Sequence, residues 1–130
     1  MSKTPSTPTF RSRCPVAASL DLIGDRWSLI VVRDLMLRKS KYKDFRDSPE
    51  GIPTNILANR LRKLESDGIL EKKPYQDNPI RFEYRLTRKG ANLLPLLQQL
   101  ALWGHKHIAD CWSAPDWFLK AKPNDLLKSN

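Results

Sequence analysis

The spacing of apolar residues changes twice along this chain, and this change restricts its possible folds more than any other feature. A helical spacing of three and four residues is present at Ile56, Leu57, Leu61 and Leu64. A period of two, typical of a half-buried strand, follows at Phe82, Tyr84 and Leu86. Helical spacing returns after Thr87. The chain is therefore predicted to be mainly α with a small β-hairpin, which excludes all-β folds and parallel α/β folds.

The turn and capping residues predict where the elements begin and end. Pro15 suits the first position of a helix, Asp25 and Thr87 can each cap one, and Pro95 should bend the last helix near its start. The predicted helices are 15–23, 26–37, 42–47, 53–66 and about 88–112, with strands at 69–75 and 80–87. This order is that of a winged helix-turn-helix domain with a long C-terminal dimerisation helix.

The 130 residues fit one domain between two tails. We expect a flexible N-terminal tail over 1–13 rather than an export signal, a domain over 14–112, and a C-terminal tail over 113–130. The last helix carries a wider apolar arc than one small domain covers, so a second copy of the chain is its natural cover. The predicted dimer interface consists of Leu93, Leu96, Leu97, Leu100, Trp103 and Ile108.

Composition and motifs exclude several classes of protein. A net charge of +9 and a pI near 9.8 suit a polyanionic partner, and eight basic but only three acidic residues lie between Arg38 and Lys63. No apolar stretch reaches the roughly 20 residues of a membrane span. Two cysteines cannot form a disulfide framework, which favours the reducing cytoplasm. Without a phosphate-binding glycine loop, a Cys/His cluster or a serine elbow, we predict no enzyme, no metal and no cofactor.

The helix at 53–66 is the predicted recognition helix, which would enter the major groove of double-stranded DNA. Side-chain amides and hydroxyls can read base edges, whereas lysines and arginines also hold phosphates. The candidate recognition residues are Thr54, Asn55, Asn59, Arg62 and Lys63. The candidate backbone contacts before this helix are Lys41 and Lys43. The competing interpretation is a solvated polar face on an ordinary packed helix.

The hairpin provides a second candidate contact, because basic residues decorate a projecting ribbon. These wing residues are Lys72, Lys73, Arg81 and Arg85. Arg81 could enter a narrow minor groove, which attracts arginine. Alternatively, it keeps an exposed edge strand from pairing with other chains.

Several motifs, in order along the chain, resemble those of the HxlR family. They are Cys14-Pro15-Val16, the run 21–30, Arg33-Asp34-Leu35, Gly51-Ile52, Arg60-Leu61-Arg62, Asp67-Gly68, Glu83-Tyr84, Leu94-Pro95 and Trp103-Gly104. The resemblance implies a bacterial, MarR-like transcription regulator that acts as a homodimer on an operator. Pro53 departs from the family pattern, in which a serine or threonine usually caps the recognition helix.

Cys14 is the candidate sensor, because it precedes Pro15 at a predicted helix N-terminus, where the helix dipole favours a thiolate. The resemblance implies detection of oxidants or electrophiles, since some HxlR-type relatives use a cysteine there and some pair it with a C-terminal cysteine across the dimer. Cys111 would be that partner here. A small, semi-buried residue without redox function remains the alternative for both cysteines.

Two other functions stay open at this stage. One is a small-molecule-gated regulator with an aromatic pocket between the dimer helix and Trp27. The other is a protein-interaction adaptor that uses the scaffold without DNA, against which the basic residues before the recognition helix argue.

Overall fold

The computed structural model describes residues 9–127, which form eight helices and one two-stranded antiparallel hairpin. In chain order the elements are α1 (Pro15–Ile23), α2 (Ser28–Met36), α3 (Tyr42–Arg46), α4 (Thr54–Ser66), β1 (Leu70–Gln76), β2 (Arg81–Leu86), α5 (Arg88–Ala91), α6 (Leu94–His107), α7 (Asp116–Lys120) and α8 (Pro123–Leu126). The predicted fold class is confirmed.

Helix α2 lies at the centre of the domain, where it contacts α4, α6 and β2. It buries four apolar side chains, and every other element except α8 adds one to three more. The largest fully buried side chains are Phe45, Met36, Leu57, Leu64, Leu70 and Leu94. Burial of this kind stabilises by roughly 1.5–3 kcal/mol per large side chain, so the packing against α2 holds the recognition helix and the hairpin in one body.

Thr87 caps its helix as predicted, whereas Asp25 lies two residues before Trp27, the N-cap of α2, and binds the backbone there. A carboxylate oxygen of Asp25 accepts hydrogen bonds from the backbone N–H groups of Trp27 and Ser28, at 3.0 and 3.1 Å. The hydroxyl of Thr87 accepts one from the backbone N–H of Gly90, at 3.1 Å. These bonds satisfy donors that a helix start otherwise leaves without a partner.

The prediction of one continuous helix from residue 88 to about 112 is wrong at both ends. A turn at Asn92 and Leu93 separates α5 from α6, and Pro95, which has no N–H to donate, lies in the first turn of a new helix rather than bending an old one. Helix α6 ends at His107 because Ile108 is extended and Asp110 has a positive φ of 66°.

The chain after α6 returns to the domain. Residues 113–130, which the apolar spacing assigns to a tail, include α7 and α8, and Phe118 of α7 is buried in the core. The side-chain amide of Gln98 on α6 donates hydrogen bonds to the carbonyl oxygens of Phe118, Leu119 and Ala121, at 2.9, 3.3 and 2.9 Å. One polar side chain thus fixes the segment against α6.

Gly90 offers a direct test of how α5 packs on the base of the hairpin. A Cβ at this position would lie 2.1 Å from the carbonyl oxygen of Ile69. Gly90→Ala is therefore expected to lower the free energy of unfolding by about 2 kcal/mol, because backbone must move to make room. Urea unfolding followed by circular dichroism measures the change. Gly104→Ala is the matched control, since its nearest atom would lie 3.9 Å away. Equal stability of the two variants would contradict this packing.

Candidate nucleic-acid interface

The exposed face of α4 carries most of the predicted recognition residues. Helix α4 buries Leu57, Leu61 and Leu64, and the opposite face exposes Thr54, Asn55, Asn59 and Arg62. Within residues 9–127, the side chains of Thr54, Asn55 and Arg62 make no hydrogen bond or ion pair, whereas Asn59 accepts a hydrogen bond from Arg60. This face is therefore free to contact another molecule.

Contacts from α3 and α2 fix the position of α4. Pro53 is the N-cap in an extended conformation and supplies no side-chain cap, so the capping hydroxyl usual at this position has no equivalent. Instead, the Tyr42 hydroxyl on α3 donates a hydrogen bond to the carbonyl oxygen of Thr54, at 3.1 Å. The Arg60 guanidinium forms an ion pair with Asp25, with Nε and Oδ2 2.7 Å apart. These two bonds, at Thr54 and at Arg60, hold the first two turns of α4 against the rest of the domain.

Asp25 is ionised in this arrangement. Burial alone would raise the pKa of Asp25, but hydrogen bonds from Ser28, Arg60 and the Trp27 backbone together outweigh burial and hold that pKa well below its usual value. The carboxylate therefore remains charged at neutral pH and serves both the start of α2 and the ion pair with α4.

A polar network joins the turn of the helix-turn-helix to α2. The carboxylate of Asp34 is 1% exposed and accepts hydrogen bonds from the Ser48 hydroxyl and from Arg33, the latter at 2.8 Å. Lys39 donates to the Ser48 hydroxyl at 3.0 Å and lies 3.5 Å from Asp34. Arg33 also binds both oxygens of Glu50, at 2.7 and 2.8 Å. The turn over 48–50 is thus held by charge-assisted hydrogen bonds.

The Arg33–Glu50 pair is charged throughout the neutral range. Hydrogen bonds from Arg33 lower the pKa of Glu50 below its usual value, even though partial burial acts in the opposite direction. The same bonds raise the pKa of Arg33 above its usual value. Loss of the pair therefore requires a competing ion rather than a small change in pH.

The predicted backbone contacts before α4 lie next to the hairpin. Lys41 and Lys43 are both exposed, at the N-terminus and in the first turn of α3. Lys41 pairs with Glu83 in an isolated bridge, and its ammonium lies 4.6 Å from the centre of the Tyr75 ring. The Tyr84 backbone N–H donates to the Ser40 carbonyl at 2.7 Å. The helix-turn-helix and the wing are therefore joined by backbone pairing.

The four predicted wing residues differ in whether their side chains contact another side chain of the same protein. Arg85 forms an ion pair with its cross-strand neighbour Glu71, at 3.0 Å. The Lys72 ammonium lies 4.5 Å from the centre of the Phe82 ring. Within residues 9–127, the exposed side chains of Lys73 and Arg81 have no such partner. Lys73 and Arg81 are thus the wing cations with no competing intrachain contact.

Lys63 lies apart from the exposed face of α4. Its ammonium donates hydrogen bonds to the Leu22 carbonyl at the end of α1, at 2.8 Å, and to Asp67, at 3.0 Å. The structure therefore brings Thr54, Asn55, Asn59 and Arg62 together and places Lys63 in a contact between helices.

Comparison with known proteins identifies the family. Residues 22–111 match the profile of the HxlR-like helix-turn-helix family. The chain belongs to the HxlR-like helix-turn-helix family. It is 35% identical, over 72% of its length and 73% of the relative's, to YdeP of Bacillus subtilis strain 168, an uncharacterised HTH-type transcriptional regulator.

Two solved structures similar to this HxlR-type chain are regulators. One is the redox regulator HypR in its oxidised form, 35% identical, with a TM-score of 0.66 over 72% of this chain and 97% of HypR. The other is the reduced form of the transcriptional regulator YodB from B. subtilis, 26% identical, with a TM-score of 0.62 over 78% of this chain and all of YodB. YdeP and YodB are transcriptional regulators, which is a non-enzymatic role, and HypR is a redox regulator.

Both cysteines of this HxlR-type chain are exposed, free thiols. Cys14 is the N-cap of α1, as predicted, and Pro15 occupies the first helical position. Arg11, three residues before Cys14, forms an ion pair with Asp21. The Cys111 carbonyl lies 3.0 Å from Nδ1 of His105, which anchors the segment that follows α6.

The predicted dimer residues of the HxlR-type chain fall into two groups. Leu97 is only 7% exposed and packs in the core of its own chain, and Leu93 is half-buried. The exposed members are Leu96, Leu100, Trp103 and Ile108. Helix α1 adds two exposed apolar residues, Val16 and Leu20, which the interface prediction left out although their spacing is visible in the sequence.

The polar network around Asp34 was missed in the sequence, although one signal was present. Asp34 interrupts the apolar run of α2, between buried residues on both sides. A carboxylate in such a run is rarely buried unless it is paired. Its position could therefore have indicated a buried ion pair, although not its partners.

No helix within residues 9–127 has the length and apolar character that crossing a membrane requires.

Proposed function

We propose that this HxlR-type transcriptional regulator acts as a homodimer that binds a pseudo-palindromic operator in double-stranded DNA. In this proposal α4 reads the major groove through Thr54, Asn55, Asn59 and Arg62. Lys41 and Lys43 bind phosphates, and Arg81 of each wing reaches the adjacent minor groove.

The observation that carries the proposal is the uncommitted polar face of α4. Within residues 9–127, Thr54, Asn55 and Arg62 of this face have no hydrogen-bond or ion-pair partner. Lys41 and Lys43, just before and in α3, and Arg81 in the wing are exposed and form no ion pair within the same residues. A merely solvated face would need no such arrangement, whereas DNA recognition requires base-reading groups flanked by phosphate-binding cations. Of the other predicted cations, Lys63 and Arg85 form ion pairs and Lys72 lies over the Phe82 ring, so these three have a smaller part in this proposal.

The dimer is supported by apolar side chains that one copy of the chain leaves exposed. Trp103 is 60% exposed and Val16 is 68% exposed, and Leu96 and Leu100 lie on the same helix as Trp103. Exposed apolar residues in such number on two helices favour cover by another protein surface. A symmetric pair would present two recognition helices to two half-sites one helical turn apart.

Selection of bound DNA from a random pool tests the proposal. We expect an inverted repeat whose half-site centres are about 10 base pairs apart. Size-exclusion chromatography with light scattering should give a dimer. A strictly monomeric protein, or a pool without an enriched repeat, would overturn the proposal.

The salt dependence of binding to the selected DNA tests the phosphate contacts. Lys41, Lys43 and Lys73 are exposed and form no ion pair within residues 9–127. As six phosphate contacts per dimer they predict a slope of log affinity against log salt of about −5. The double variant Lys41→Gln/Lys43→Gln should reduce this slope by about 3 to 4, because four phosphate contacts per dimer are lost. Lys106→Gln on α6 is the matched control and should leave the slope unchanged. An unchanged slope in the double variant would remove α3 from the interface.

We further propose that Cys14 is a thiol sensor of oxidants or electrophiles. Its exposure and its position at the N-cap of α1 support this role, and the relative HypR is a redox regulator. Oxidation by diamide would form an S–S bond between Cys14 of one copy and Cys111 of the other, with diamide reduced to its hydrazine by the two electrons and two protons that the thiols release.

Non-reducing electrophoresis after diamide treatment measures this bond. The wild-type protein should run as a covalent dimer, and both Cys14→Ser and Cys111→Ser should remain monomeric. A dimer that persists in Cys111→Ser would show a Cys14–Cys14 bond instead. A wild-type band that stays monomeric would rule out any intersubunit bridge.

A further inference from the structure

A cavity of about 570 Å³ lies between α2, α6 and the segment over 111–118. This volume is in the range of small-molecule binding sites. Most of the lining is apolar and includes Leu29, Ile30, Leu97, Leu100, Trp112 and Phe118, of which Leu97 and Leu100 also belong to the predicted dimer interface. Trp27 does not line it, so it is a different place from the pocket expected beside that residue.

The polar end of the cavity is the network that holds the helix-turn-helix turn. Arg33, Asp34, Lys39 and Glu50 all line the cavity, and they bind one another and Ser48. A molecule in the cavity would therefore touch the bonds that fix the turn immediately before α4. These residues connect the cavity to the turn that precedes the recognition helix.

The charges at this end favour an anionic ligand. Asp34 is buried and held by three side chains, whereas the Glu50 side chain is 36% exposed and its hydrogen bonds to side chains are both with Arg33. A carboxylate can bind a guanidinium through two parallel hydrogen bonds, so a ligand carboxylate can replace Glu50. An ammonium ligand would compete with an arginine that both carboxylates already hold.

The apolar walls indicate the rest of the ligand. Phe118 and Trp112 both line the cavity; Phe118 is buried, whereas Trp112 is 89% exposed. Aromatic side chains of this kind pack well against a planar ring in edge or offset geometry.

We propose that this cavity binds a small aromatic carboxylate, which replaces Glu50 on Arg33, releases the turn over 48–50 and weakens DNA binding by α4. The weakening of DNA binding rests on the proposed function, whereas binding of the carboxylate in the cavity does not. The effector is thus distinct from an oxidant that acts at Cys14.

Three probes that share one ring system test the ligand class. We would titrate 2-naphthoate, 2-naphthamide and 2-naphthylmethylamine into the full-length protein without DNA and measure heats of binding. 2-Naphthoate is expected to bind at least about tenfold more tightly than the amide, because a hydrogen bond to a charged group is worth more than a neutral one. Equal binding of all three probes would overturn the proposal. Failure of 2-naphthoate to bind, as expected if a second copy fills the cavity, would also overturn it.

Substitutions that fill the cavity test its location. Ala101→Trp on α6 and Ala114→Leu in the following segment each add volume to the lining, and each should weaken 2-naphthoate binding by at least about tenfold. Gln99→Trp, on the same helix but outside the lining, should bind as the wild type does. If Ala101→Trp fails to fold by circular dichroism, Ala114→Leu decides. Wild-type affinity in a folded filling variant would overturn the assignment.

Glu50→Gln tests the exchange on Arg33. A neutral amide holds Arg33 less strongly, so this variant should bind 2-naphthoate about tenfold more tightly than the wild type. Saturating 2-naphthoate should also raise the Kd of the wild type for selected DNA. A protein that binds 2-naphthoate but no DNA refutes the proposed function alone. Bound 2-naphthoate without any change in DNA affinity refutes the coupling.

Discussion

Arg62→Ala is expected to weaken binding to the selected operator by about 100-fold. Arg62 lies on the exposed face of α4, and within residues 9–127 its guanidinium has no partner that would compete with a base or a phosphate. One arginine contact to a base edge contributes roughly 1–3 kcal/mol, and the proposed dimer makes this contact twice. Fluorescence anisotropy with labelled operator DNA measures the Kd.

The neighbouring variant Lys63→Ala is the matched control. Lys63 also carries a positive charge on α4, but its ammonium bonds to Leu22 and Asp67. Its loss should therefore change DNA affinity by less than about fivefold. It should lower the free energy of unfolding only slightly, because the ion pair between Lys63 and Asp67 is partly exposed. The dimer should persist in both variants. If Lys63→Ala weakens binding more than Arg62→Ala does, the recognition face proposed for α4 is rotated from its true position.

The contrast between Arg62 and Lys63 shows which part of the interface the sequence could predict. Helical spacing places both residues away from Leu57, Leu61 and Leu64, so both were predicted to face DNA. The atom that separates them is the Leu22 carbonyl oxygen, 41 positions earlier in the chain. Periodicity reports which side of a helix is buried, but it carries no information about partners on another helix.

The same limit explains the outcome for the last helix. The apolar spacing continues across Asn92 and Leu93, and for that reason a continuous helix was predicted. The break depends on Gly90, which packs against the Ile69 backbone, and on Pro95, which can begin a helix as readily as bend one. By contrast, Thr87 caps its helix as predicted and Asp25 binds the backbone at the start of α2, because such bonds involve only residues two or three positions away.

Asp34→Asn is expected to lower the free energy of unfolding by about 3 kcal/mol, because it removes the charge of a buried, paired carboxylate while keeping its volume. Arg33 and Lys39 then lose a shared partner, and the Ser48 hydroxyl loses a charged acceptor. Urea unfolding should show a midpoint lower by roughly 1.5 M. Because the partners lie in the turn before α4, the variant should also bind DNA less tightly at temperatures where it remains folded.

Asp47→Asn is the control for that stability change, since it makes the same substitution in an ion pair that is open to solvent. The Arg46 and Asp47 side chains are 46% and 57% exposed, at 3.3 Å from each other. An exposed pair of this kind contributes little, so the loss should be below about 0.5 kcal/mol. The difference between the two variants then measures what burial adds to a carboxylate of the same size. If Asp34→Asn proves as stable as Asp47→Asn, the turn is held by the packing of Phe45 and Ile52 alone, and the charges around Asp34 have no structural role in positioning α4.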